Sequence, residues 1–367
     1  MKILYVTTLS NTANAFLIPH IRMLINEGHQ VDLAFHIVYE VNKEIKDMGC
    51  RVYDIPFQRS PKSTRNFEAY KLIKNLIAEE EYDLVHTHTP VASTIVRLAC
   101  KKKKQVRVIY TAHGLHFYKG APIKNWLIYY PIERYLSKYT DTLITINKED
   151  FNLAKKHFKA KKIEYVPGVG LDIDKFKKII INREVKRKEI EVPKDSTVFL
   201  SVGELNKNKN HEVVIRAIAR LNNPNIHYVI CGKGELKKYL INLSKELGVS
   251  NQIHLLGLRQ DVAEIYNIAD LFIFPSFREG LSVSLMEAMS SGLPIICSNI
   301  RGNVDLIEKN KGGLLFSPND VEGLSEAIKH IFSRKLLNQF GKFNENKIRE
   351  FSLNSVLEEM ESIYKKN

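Results

Sequence analysis

The feature that most constrains this 367-residue chain is a rhythm that runs through it twice. Short, nearly uninterrupted apolar runs alternate with stretches of helical period. In the first series Ile3–Thr7, Val31–Phe35, Val52–Ile55, Leu84–His86, Val106–Thr111, Leu143–Ile146 and Ile163–Val166 read as strands. Ala15–Asn26, Val41–Met48 and Phe67–Glu79 read as helices; in the first of these Phe16, Ile18, Ile21, Leu24 and Ile25 share one face. Strands that are apolar on both faces belong to a parallel sheet covered on both sides. The series restarts with strands at Val198–Val202, His227–Ile230, Ile253–Leu255, Leu271–Pro275 and Ile295–Cys297. Its helices are His211–Leu221, Glu235–Leu247, Val283–Ser290 and Val321–Phe332. Asp174–Lys194, rich in Lys, Arg and Glu and poor in strand pattern, lies between the two series. The expectation is two doubly wound α/β domains, residues 1–178 and 179–351, facing a cleft. Ligands in such sheets bind outside the carboxyl ends of the strands.

Composition excludes several classes. With 44% hydrophobic and 26% charged residues the chain is an ordinary globular one. Cys50, Cys100, Cys231 and Cys297 form no CxxC pair, which argues against a disulfide framework and a structural zinc. No apolar run approaches the roughly 18–20 residues of a membrane span, and Lys2–Val6 enters a strand directly, without a signal-peptide pattern. The expected location is the cytoplasm. The net charge is +14, of which residues 1–178 carry +11. Nucleic acid, an anionic membrane surface and a polyphosphate substrate compete to explain that excess, beside lysine chosen at solvated positions.

The chemistry concentrates in Asp270–Met289. A buried strand ends in Pro275-Ser276, a turn carries Glu279 and Gly280, and Ser282 is placed to cap the helix that follows. Unpaired amides at such a helix start suit a diphosphate, and Gly280 permits close backbone approach. Glu279 and Glu287 suit neutral hydroxyls, as on sugars; spacing alone leaves open that both are merely solvated. A second strand-to-helix loop, Gly203-Glu204-Leu205-Asn206-Lys207-Asn208-Lys209, pairs a glycine turn with two lysines. His113 and His116 lie in Thr111-Ala112-His113-Gly114-Leu115-His116, just past a strand. His86 and His88 also end a strand, as cleft wall or as packing. Cys231-Gly232-Lys233-Gly234 lacks the third glycine of a dinucleotide fingerprint.

These residues resemble those of the retaining GT-B glycosyltransferases of family four. Glu279 and Glu287 match the E-x7-E signature. Glu287-Ala288-Met289, Ser291-Gly292-Leu293-Pro294-Ile295-Ile296, Gly302 and Gly312-Gly313-Leu314-Leu315-Phe316 match its surroundings. The similarity spans the whole chain and is greatest to transferases of bacterial capsule and exopolysaccharide synthesis. It implies that His113 and Glu279 touch the transferring sugar, that Glu287 holds the ribose, and that Gly280, Leu281 and Ser282 meet the sugar and diphosphate. It places Lys209 on the diphosphate, with Gly203, Lys207 and Gly232 nearby, and Leu258 and Arg259 at the base. Where the family has Gly-Arg-Leu, this chain has Gly203-Glu204-Leu205, so Lys207 is the substitute cation. Asn14 and His116 are acceptor-side candidates. The resemblance further implies a helix at 352–367 packed back on the first domain and a UDP-sugar donor, with N-acetylhexosamine favoured. It implies a lipid-diphosphate-linked saccharide acceptor, met at the cytoplasmic membrane face; Trp126–Pro131, near Lys119 and Lys124, reads equally as an interfacial patch for it or as an ordinary core-facing helix. No cofactor and no metal are expected, so Asp172-Ile173-Asp174 is a decoy. A nucleotide-sugar epimerase of the same fold and a basic nucleic-acid-binding protein are the alternatives.

Overall fold

A computed structural model describes residues 1–177, 179–332 and 334–365. The chain divides into two compact units, Met1–Val169 with Val356–Asn367, and Gly170–Ser355. The division falls at Val169/Gly170 rather than near residue 178. Leu171 N already donates to Phe351 O, and Leu171 and Phe176 join the core of the second unit. Of the expected terminal segment 352–367, Leu353–Lys365 is a helix; Lys178, Lys366 and Asn367 lie outside the described residues.

The first unit is built on a seven-stranded parallel sheet. Its strands are β1 (Lys2–Leu9), β2 (Gln30–His36), β3 (Val52–Asp54), β4 (Leu84–His88), β5 (Arg107–Ala112), β6 (Thr142–Thr145) and β7 (Lys162–Tyr165). The order is β3-β2-β1-β4-β5-β6-β7, so it reverses between β1 and β4. Alternate residues of each strand feed opposite faces. Ile3 and Tyr5 enter one core cluster, Leu4 and Val6 the other. The C-terminal helix closes the first of these clusters with Val356, Met360, Ile363 and Tyr364, spaced as one helical face. Burying each such side chain is worth about 1.5–3 kcal/mol.

The second unit holds a six-stranded parallel sheet: β8 (Thr197–Val202), β9 (Ile226–Cys231), β10 (Ile253–Gly257), β11 (Leu271–Phe274), β12 (Ile295–Ser298) and β13 (Gly313–Phe316). Its order, β10-β9-β8-β11-β12-β13, reverses between β8 and β11. Phe272 and Phe274 face one cluster, Leu271 and Ile273 the other.

The residues between the expected strand Ile3–Thr7 and helix Ala15–Asn26 are largely helical too: the chain turns helical at Ser10 and passes through a wide π turn, Ala13–Leu17, into the helix Ile18–Asn26. Asn14 therefore sits within that turn. Its Nδ2 donates to Glu40 O at 2.8 Å and its Oδ1 accepts from Asn42 N at 3.0 Å, so it pins the 38–42 segment.

Arg97 is the largest fully buried side chain among the described residues. Its guanidinium makes two parallel bonds to Glu133, of 2.8 and 3.1 Å, and its Nε donates to Ser93 O. It lies 4.4 Å from the Tyr110 ring centre. The pair joins helix Pro90–Cys100 to helix Ile123–Leu136. Breaking a buried pair leaves one charge uncompensated. Arg97→Met is expected to lower unfolding free energy by about 3 kcal/mol, and Arg97→Met/Glu133→Leu to regain most of it, in urea titrations. Equal losses in the two variants would contradict this account.

Candidate active site

In the second unit the loops leaving β8 and β11 meet where the strand order reverses. The β11 loop is held from outside. Phe277 N donates to Asn208 O, Asn208 Nδ2 to Arg278 O, and Asn210 Nδ2 to Pro275 O, at 2.8–3.2 Å. Arg301 Nε donates to Glu279 O at 3.2 Å. Gly302 has a φ of 77° and lies so close to Gly280 O that no side chain fits. Ser282 then caps helix Val283–Ser290 by accepting from Leu285 N, as expected.

Lys209 enters this frame from the β8 loop. Asn206 Oδ1 accepts from its amide at 3.0 Å. Its Nζ lies 2.8 Å from Glu279 Oε1 and 4.7 Å from the centre of the Phe274 ring. Both side chains are mostly buried, 19% and 14% exposed, so solvent screens their attraction only partly. Glu287 projects from the helix beside Tyr266, whose hydroxyl donates to its Oε2 at 2.9 Å. Burial pushes the Glu287 carboxyl up to about 7, against the pull of the Tyr266 hydroxyl and Lys175. Glu279, Lys209, Ser282 and Glu287 thus line the two loops and one helix start that cover a single strand reversal. An amine, a carboxylate and free helix amides can serve a diphosphate and hydroxyls together.

Other candidates are placed differently. Gly232 is spent on backbone packing: its amide donates to Gly257 O at 2.8 Å, and a side chain on it would overlap Gly203 O. Arg259 is tied at 2.5–2.8 Å to Asp261 and Glu189, with Lys186 bridging the same carboxylates. Leu258 beside it is 71% exposed. Lys207 is exposed and lines a separate 390 Å³ pocket with His211, Arg216 and Phe277. Glu204, where an arginine is expected, is exposed and accepts from Asn206 Nδ2. Asp174 pairs with Lys177, and among the described residues no group of three or more His, Cys, Asp or Glu converges on a metal position.

In the first unit His113 follows β5. Its Nε2 lies 3.0 Å from His88 Nδ1 at the end of β4, with the rings stacked at 5.3 Å. Burial pushes His113 down to about 4, so the ring is neutral at physiological pH. The His116 ring lies tilted against Tyr129 at 4.9 Å and lines a 430 Å³ pocket with Thr8, Thr12, Arg59 and Asn66. His86 is core: Nδ1 lies 2.5 Å from Tyr364 Oη and Nε2 2.8 Å from Thr111 Oγ1. Tyr266 and His88 were not legible as partners of Glu287 and His113, because the first pair is joined by the packing of two helices and the second by neighbouring strand ends, rather than by spacing along the chain.

Two units, each a parallel sheet with one reversal of strand order, are the architecture of the GT-B glycosyltransferase class. HepE of Anabaena, crystallised with UDP, superposes with a TM-score of 0.82 at 17% identity and covers both chains completely. The model of glycosyl transferases group 1 matches residues 182–347, and that of glycosyl transferase 4-like proteins residues 2–147. EpsD of Bacillus subtilis, described as a glycosyltransferase, is 33% identical over 99% of this chain and 96% of its own. An Escherichia coli UDP-Gal:α-D-GlcNAc-diphosphoundecaprenol α-1,3-galactosyltransferase is 31% identical over 83% of this chain and 82% of its own. The chain belongs to the group 1 glycosyltransferases, and is a nucleotide-sugar-dependent transferase. Among the described residues no helix is long and apolar enough to cross a membrane.

Glu287 gives the site a pH signature. Its folded value, about 7, lies above the ordinary 4.5. Its stabilising protonated form is complete below about pH 4.5 and is lost as pH rises through 7. Relative to Glu287→Gln, the wild-type protein should lose up to roughly 3 kcal/mol of unfolding free energy between pH 5 and 8. A pH-independent difference would contradict this.

Proposed function

We propose that the chain transfers a sugar from UDP to a lipid-diphosphate-linked saccharide in polysaccharide synthesis, with retention at the anomeric carbon. The observation that carries this reading is the Lys209–Glu279 pair set against the capped helix that bears Glu287. In this reading Glu287 takes the ribose hydroxyls. Lys209 and the amides at Gly280, Leu281 and Ser282 take the diphosphate. Glu279 and His113 orient the sugar. The bond from the anomeric carbon to the phosphate oxygen breaks, and its electron pair stays on the diphosphate. The acceptor oxygen bonds to the same face of the sugar, and its proton passes to the departing phosphate oxygen. Lys209 and the helix start meet the charge that develops there. N-acetylhexosamine heads the donor panel, with galactose beside it.

Helix Ile123–Leu136 supports the lipid-linked acceptor. Trp126 and Tyr130 turn inward onto Phe117, while Ile123, Leu127, Ile128 and Ile132 are 77, 72, 53 and 44% exposed. Tyr135 ends this face, with Lys101 and Lys138 over its ring. An exposed apolar stripe edged by lysines fits an anionic lipid surface. The test is radiolabelled transfer from UDP-sugars to a polyprenyl-diphosphate saccharide in anionic vesicles. Glu279→Gln and Lys209→Ala should each lose about two orders of magnitude or more in kcat. Leu127→Glu should impair transfer in vesicles and spare transfer to a short-chain soluble acceptor. Failure of every UDP-sugar, or a Glu279→Gln variant at full rate, would overturn the reading.

A further inference from the structure

The carboxyl ends of β4 and β5 carry a cluster of rings in the first unit. Tyr5, on β1, lies 4.8 Å from His86 and 5.5 Å from His88; His86 and His88 are 4.2 Å apart, and His88 stacks on His113. The C-terminal helix inserts the Tyr364 hydroxyl between Tyr5 and His86. His20 is engaged separately, through Nε2 on Val169 O at 2.9 Å. Burial keeps these histidines neutral, so each ring holds one proton.

His86 has partners on both nitrogens, Tyr364 and Thr111. His88 does not. Its Nδ1 faces His113 Nε2, while its Nε2 is buried without a partner among the described residues. The 3.0 Å contact between two neutral rings needs one proton, and there are two ways to supply it. If His113 donated from Nε2, the His88 proton would sit on Nε2 as a buried N–H with no acceptor. Such orphaned donors are rare in folded proteins. If His88 donates from Nδ1, its Nε2 carries only a lone pair, and the His113 proton is displaced to Nδ1. His113 is half-buried, and its only bond among the described residues is the one to His88.

We propose that His88 is a positioning residue that locks His113 in the Nδ1–H form, so that the open nitrogen of His113 is always a donor. The consequence is chemical. A ring held this way donates a hydrogen bond to a sugar oxygen and cannot accept the acceptor's proton through its open face. That agrees with a proton passing to the departing phosphate. The assignment of His113 to the sugar rests on the function proposed above; the tautomer itself does not.

Long-range ¹H–¹⁵N spectra of the full chain, labelled on histidine, read the tautomer at pH 7.5, with His113→Gln supplying the assignment. A protonated Nδ1 and a bare Nε2 on His113 are expected in the wild-type protein. His88→Leu should move His113 towards the Nε2–H form and lower kcat about tenfold, the worth of one hydrogen bond, with the donor KM unchanged. His88→Asn, which keeps a donor near the Nδ1 position, should restore both. A protonated Nε2 on wild-type His113 would overturn the proposal, as would a tautomer unchanged in His88→Leu. The wild-type spectrum decides the tautomer even if His88→Leu fails to fold. Full activity of His113→Gln with the expected spectrum would remove His113 from the reaction and leave the tautomer lock standing.

Discussion

Where the order of a parallel sheet reverses, the connections on either side leave to opposite faces, and the strand ends between them stay uncovered. The chain meets this constraint twice, at β1/β4 and at β8/β11. His88 ends β4, and Lys209 and Glu279 lie on the loops that follow β8 and β11. The sheets also supply rigidity. Parallel strands buried on both faces leave their ends little freedom, so short loops hold polar groups in place. Asn206, Asn208, Asn210 and Arg301 perform that holding, and each does so through backbone groups of the loops.

The site in the second unit is arranged to be electrically quiet before anything binds. Lys209 is neutralised by Glu279, and Glu287 is only about half ionised near pH 7, because burial outweighs the pull of the Tyr266 hydroxyl and Lys175. A diphosphate has two negative charges to offer Lys209, and ribose hydroxyls can donate to a Glu287 carboxylate. Donor binding in this account therefore exchanges internal partners for ligand partners and drives a proton off Glu287. The arginine missing at Glu204 is not replaced within this group: Lys207 faces another pocket and Arg259 is held by carboxylates.

The strands and the Ser282 cap were legible because apolar runs, turn residues and capping chemistry are local. The E-x7-E pair was legible because its residues share one loop and helix. What was not legible depends on tertiary packing. Tyr266 meets Glu287 across 21 residues, and His88 meets His113 across 25. The tie of Asn14 to the 38–42 segment needs the π turn that begins at Ala13, which no local rule announces. In Trp126–Pro131 the two sides of the helix were not separable. Helical phase turns Trp126 and Tyr130 in and Leu127 and Ile128 out, and only the Phe117 contact fixes that phase.

The most direct measurement of the central claim is calorimetric titration of the protein with UDP at pH 7 in two buffers of different ionisation enthalpy. Binding is expected with release of about half a proton, since burial holds the free Glu287 carboxyl near 7. In Glu287→Gln the release vanishes and binding weakens. UDP binding without proton release, or release that persists in Glu287→Gln, would contradict the assignment of Glu287 to the nucleotide. No binding of UDP at all would contradict the donor site itself.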